Sequence, residues 1–149
     1  MAVKFLSVSG FICERALNEA DRVVSAIRIV DVFYIPPGAT EEYLVSLTVI
    51  MQLKSDVPVP TESFQLTAAL VKTSGERESI QGAPPAPIAF QALGGNRSVP
   101  SGIMITMPLT VKPKNFGTCY VEFAVDGESV IRIPFTILSA LPDAALPTS

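Results

Sequence analysis

The chain has 149 residues, 48% of them apolar and 17% charged, with a formal net charge of −3 and no histidine. That length is one domain by size, and such a domain buries roughly 68–70% of its unfolded surface without metal or disulfide staples. The acidic balance excludes a cationic field for phosphate backbones, so no nucleic-acid partner is expected, and the missing histidine removes Ser-His-Asp and Cys-His mechanisms and His-liganded zinc.

Residues 1–13 carry a single lysine, Lys4, and interleave Ser7, Ser9 and Gly10, which reads as a first strand and not as a signal peptide. Residues 3–8 form its body and Gly10 is a candidate bulge before Phe11 and Ile12, with the strand expected at a sheet edge. Glu14, Arg15, Asn18, Glu19, Asp21 and Arg22 read as a charged loop of alternating sign. In the β-branched run 23–34, Ile27 and Ile29 favour one face while Val30, Val32 and Tyr34 favour the other. That change of phase predicts a strand buried on both faces, or a bend where the chain leaves one sheet for another.

Pro36, Pro37 and Gly38 end this run. Residues 43–54 alternate cleanly, with Tyr43, Val45, Leu47, Val49, Met51 and Leu53 inward, and read as an antiparallel strand with a proline-free edge. Phe64, Leu66, Ala68 and Leu70 mark the next inward face, Ser74 and Gly75 a turn, and 77–80 a short return strand. The three prolines of 82–87 make a stiff connection, 88–93 is a short strand candidate and Gly94, Gly95 and Asn96 a turn. Ile103, Ile105, Met107, Leu109 and Val111 define another inward face, and Pro108 places that strand at an edge or a bulge.

The clearest structural signal is a hairpin, with alternating runs 118–125 and 129–137 joined at Asp126 and Gly127. A two-residue loop with regular pairing would put Val121 opposite Arg132 and drive an arginine into the core. A three-residue loop of Val125, Asp126 and Gly127 is therefore expected, pairing Val121 with Ile131, Cys119 with Ile133 and Tyr120 with Arg132. Residues 1–139 then form a single β-sandwich domain, immunoglobulin-like with a jelly roll as the alternative, and 140–149 read as a disordered tail.

None of the apolar runs approaches the roughly 20 residues that cross a bilayer, so no membrane partner is expected and the protein reads as cytoplasmic. Cys13 and Cys119, the two cysteines, read as buried thiols. Two cysteines cannot complete a four-thiolate site, and neither Glu41 with Glu42 nor Glu76 with Glu78 has a calcium-loop pattern. The segment 94–98 lacks the lysine spacing and following helix of a phosphate cradle. No cofactor, metal or catalytic residue is assigned, and the chain reads as a non-enzyme. The outward positions Tyr120, Glu122 and Arg132 are the candidate interaction site, an aromatic beside a cation on an exposed sheet face.

Phe11 to Arg15, the run around Ala26 to Phe33, and 117–135 with Asp126-Gly127-Glu128 and Pro134-Phe135 together resemble a family of small uncharacterised bacterial proteins. That resemblance implies an immunoglobulin-like sandwich and no catalytic residues; the segment 18–22 departs from it by lacking a glycine-containing turn. With so few charges for so much apolar content, the expected function is protein interaction or assembly through an exposed sheet face or edge, with a protein partner or a homo-oligomer. The alternative is a small-molecule or carbohydrate-binding sandwich using loops 36–42, 74–77 and 94–98 at one end.

Overall fold

Side chains that alternate with period two pair into sheets with one wet and one dry face, and that pattern governs most of this chain. The computed structural model describes residues 4–19, 24–36, 38, 43–80, 87–111 and 117–139. Its strands are β1 (Phe5–Asn18), β2 (Val24–Ile29), β3 (Val32–Ile35), β4 (Val45–Ser55), β5 (Leu66–Val71), β6 (Arg77–Ser79), β7 (Gly102–Val111), β8 (Gly117–Val125) and β9 (Glu128–Ser139). They form a four-stranded sheet in the order β2-β1-β4-β7 and a five-stranded sheet in the order β3-β9-β8-β5-β6. The sheets pack face to face as an all-β sandwich, and every ladder is antiparallel except β3 with β9. Among the described residues no helix is long and apolar enough to cross a membrane. The expected tail, 140–149, lies outside the described residues.

The core is built from the alternation. Leu47, Val49, Met51 and Leu53 of β4 and Met107, Leu109 and Val111 of β7 bury against the inner face of the other sheet. That face contributes Leu66, Ala68 and Leu70 of β5, Val121 and Phe123 of β8, and Ile133 and Phe135 of β9. One end is closed by aromatic contacts: Phe5 meets Phe64 and Phe90 with ring centroids 5.5 and 5.9 Å apart.

The change of phase after Ile29 is a change of sheet. Val30 N–H donates to the Ile12 carbonyl of β1 at 2.9 Å, while the next carbonyl, of Asp31, accepts from Thr136 N–H of β9 at 2.8 Å. Adjacent residues thus hydrogen-bond to opposite layers.

Several expectations are corrected. The residues Glu14, Arg15 and Asn18 belong to β1 and not to a loop, because β2 pairs with this half of the strand, Arg15 opposite Ile27 and Leu17 opposite Ser25. Asp21 and Arg22 lie outside the described residues. β1 is interior, between β2 and β4, and β4 is interior too, so residues 43–54 supply no edge. Pro108 does sit on an edge strand, β7. Gly10 is regularly paired with Met51, and the irregularity of β1 falls between Phe5 and Ser7. Gly10 is required by close packing: a Cβ there would lie 2.5 Å from Cδ1 of Ile133 and 3.1 Å from the Ile50 carbonyl oxygen. Residues 88–93 form isolated bridges, Phe64 with Ile88 and Leu93 with Asn96, in place of a strand.

The hairpin register also differs. The turn is the two-residue form, with positive φ at both Asp126 and Gly127, and Val125 pairs with Glu128. A register shift beside Phe123 and Ala124 then re-aims β9, so Val121 faces Ile133, Cys119 faces Phe135 and Glu122 faces Arg132. The bulge keeps Arg132 out of the core. The expected faces survive, and the partners move by two residues.

Candidate functional site

The outer face of the five-stranded sheet holds all three residues singled out in the sequence. Glu122, in the middle of β8, lies between Ala69 of β5 and Arg132 of β9. Arg77 of β6 pairs with Val71, which pairs with Tyr120, so strand alternation directs Arg77, Tyr120, Glu122 and Arg132 to one surface. Outward on an exposed face, Glu122 nevertheless retains only 5% of its accessible area. Two flat guanidinium groups cover it: Arg77 Nη1 donates to Oε1 and Arg132 Nε donates to Oε2 at 2.5 Å. Each arginine side chain is itself about half exposed, at 53% and 51%. The carboxylate is thus shielded at the surface, by cations that stay wet.

This arrangement has a plain electrostatic signature. The bond from Arg77, and then that from Arg132, outweighs the desolvation that opposes them and holds the Glu122 carboxyl down at about 2, below its ordinary value of 4.5. Arg132 also reaches diagonally over Tyr120, its Cζ 5.8 Å from the ring centroid, within cation–π range. Tyr120 sits opposite Pro134 and not opposite Arg132, the consequence of the shifted register.

Sequence reasoning missed Arg77 and the apolar part of this face. Arg77 lies on a three-residue strand too short to show a period, and only its place beside β5 brings it to Glu122. Tyr34 and Leu138, paired across β3 and β9 and 61% and 40% exposed, extend the same face past Pro134. Their link is a long-range parallel pairing with no local signal.

The loops proposed as one binding end do not meet. Residues 36 and 74–77 flank the end where β5 closes and β8 begins, Thr73 donating to the Thr118 carbonyl at 3.3 Å. The segment 94–98 is at the opposite end, where Arg97 donates through Nε and Nη2 to the Val59 carbonyl at 3.0 and 2.7 Å. Residues 37 and 39–42, including Glu41 and Glu42, lie outside the described residues. Glu76 and Glu78 share Lys72, whose ammonium lies 3.7 and 3.0 Å from them, and Glu14 pairs with Arg28 at 3.4 Å. Hydrogen bonding to Glu78 is the main reason the Lys72 ammonium holds its proton above the ordinary lysine range. A depression of about 470 Å³ opens beside β3 and the start of β4, lined among others by Phe33, Tyr34, Tyr43, Glu14 and Arg15. Among the described residues no cluster of three or more potential metal ligands occurs.

No known family model matches the chain, and no curated protein matches it.

Proposed function

We propose that this protein is a non-enzymatic interaction module that docks protein through the outer face of its five-stranded sheet. The observation that carries the reading is the composition of that face: Tyr34 and Leu138 lie at one end, Pro134 and Tyr120 beside Arg132 and Arg77 at the other, with the hydrogen-bonded threonines Thr118 and Thr136 between them. Tyrosine and arginine dominate the energetics of protein interfaces, since each combines a large contact area with a polar tip. Fixing the arginines on Glu122 lowers the conformational entropy that binding would otherwise remove. The passage of the chain from the first sheet to a parallel pairing with the last strand favours an immunoglobulin-like connectivity for the module. Two buried thiols that form no disulfide suit a reducing compartment such as the cytoplasm.

Light scattering behind size exclusion, over a hundredfold range of concentration, tests whether the docked chain is a second copy. A homo-oligomer that persists on dilution and is lost in Tyr120→Ala supports the reading with self as partner. A monomer that captures a protein from its native cell through the same tyrosine supports it with another chain. A monomer whose captured proteins are the same for wild type and Tyr120→Ala overturns it.

A second reading, a carbohydrate or small-molecule site, is favoured by one observation: two of the three tyrosines, Tyr34 and Tyr43, line the depression beside β3. Its test is a glycan array. Hits abolished by Tyr43→Ala would support it, and an empty array would count against it.

A further inference from the structure

We infer that the two arginines on this face receive the carboxylates of an acidic, extended segment of another protein, whose apolar residues then lie along the stripe toward Tyr34. The inference rests on the interaction reading above and names the partner's chemistry. Glu122, Arg77 and Arg132 are the residues charged at neutral pH at outward positions of these strands among the described residues, and they sum to one positive charge. The whole chain is at −3, so this face runs against the sign of the molecule. Each guanidinium has five N–H bonds in a planar fork and engages Glu122 through one of them, leaving donors for bidentate capture of an incoming carboxylate.

A second copy is the poorer occupant. A two-fold, face-to-face contact would bring four guanidiniums together against two carboxylates already engaged, and like charges across an interface are costly. The length of the stripe fixes the length of the segment. Arg132 and Leu138 lie six residues apart on β9, about 20 Å at the strand rise, which an extended segment of about seven residues spans. Carboxylates at one end of it and apolar side chains toward the other would match arginines first, then Pro134, and past Thr136 the pair Leu138 and Tyr34.

In this arrangement Glu122 is a positioning residue. Its removal raises the positive charge of the face and also frees both arginines, so the two possible roles of the carboxylate predict opposite results. If attraction were diffuse, Glu122→Gln would bind an acidic peptide more tightly; if orientation dominates, it binds less tightly.

The experiment is a nuclear magnetic resonance titration of the arginine Nε–H signals of the full chain. The probes are acetylated heptapeptides with two glutamates at one end and two leucines toward the other, made in both sequence orders. Their counterparts carry glutamines in place of the glutamates. The expected result is saturable movement of the Arg77 and Arg132 signals, at least about fivefold weaker with glutamine, and further weakening as salt is raised. Binding to Glu122→Gln is expected to fall about threefold despite the added charge. Equal affinity for the glutamate and glutamine peptides overturns the acidic partner. Movement of the same signals by inorganic phosphate at the same affinity as the peptide also overturns it, leaving a simple anion site. Tighter binding by Glu122→Gln overturns the positioning role. The first comparison uses the native protein alone and needs no variant to fold. Failure of the peptides while Tyr120→Ala still changes association would remove the acidic partner and leave the interaction reading; failure of both removes both.

Discussion

Asp126 and Gly127 hold left-handed backbone, at φ 49° and 86°, and Asp126 also joins the hairpin to the start of β5. Its Oδ1 accepts from Gln65 N–H at 2.9 Å and its own N–H donates to the Gln65 carbonyl at 2.9 Å. An alanine can take the left-handed position at a cost of about 1–2 kcal/mol. Gly127→Ala is therefore expected to lose that much stability in urea unfolding, and an unchanged midpoint would mean that the turn rearranges freely. Glu122 acts through pH. The folded protein keeps this carboxyl ionised down to about 2, whereas the unfolded chain protonates it near 4.5. Its stabilisation is thus complete above the unfolded value and is lost as pH falls from 4.5 toward 2. Glu122→Gln is expected to narrow the stability difference between pH 7 and pH 3, measured by denaturant unfolding at both. An identical difference in variant and parent would place the acid sensitivity in other carboxylates.

The strands show which parts of the fold local pattern determines. β4, β7 and β8 each turn one face to the core, so period two identified their core-facing residues before any partner was known, while Ile50 and Glu122, buried on the opposite faces of β4 and β8, fall outside that pattern; the change of phase after Ile29 marked the crossing between sheets. Pairing was less legible. β1 looked like a strand followed by a charged loop, because its second half is a strand through pairing with β2, and Glu14 and Arg15 stay wet there. The hairpin faces were right while the register was wrong, since a bulge preserves faces and changes partners. The candidate site was legible to the same extent: Tyr120, Glu122 and Arg132 lie within one strand pair, whereas Arg77 arrives through β5. Gly10 belongs at this scale too, because it lets β1 and β9 approach across the core. Gly10→Ala is expected to destabilise by about 1–3 kcal/mol through overpacking, and Ile133→Val, which trims the opposing side chain, is expected to recover part of that loss in a double-mutant cycle. Strict additivity would show that Ile133 is not what the added methyl meets.

For the molecule as a whole, the thiols report on opening. Cys119 is fully buried in the core between the sheets, and Cys13, also fully buried, donates weakly to the Arg15 carbonyl at 3.4 Å on the outer side of β1. Burial pushes the Cys13 thiol up, which leaves less thiolate to react. Cys119 is expected to react with a thiol reagent only as fast as the sandwich opens, with the rate rising together with the unfolded fraction in urea. Rapid stoichiometric labelling in native buffer would refute its position in the core. The parallel pair of β3 and β9 carries a different consequence, a mechanical one. Force applied between Asp31 and Ser139 pulls the two strands lengthwise past each other, so the hydrogen bonds from Val32–Thr136 to Ile35–Ser139 share the load and must fail together. Force applied across the two arms of the β8–β9 hairpin opens its bonds one after another. The molecule is therefore anisotropic under tension: stiff where its first sheet hands the chain to its last strand, and yielding at the turn most legible in its sequence.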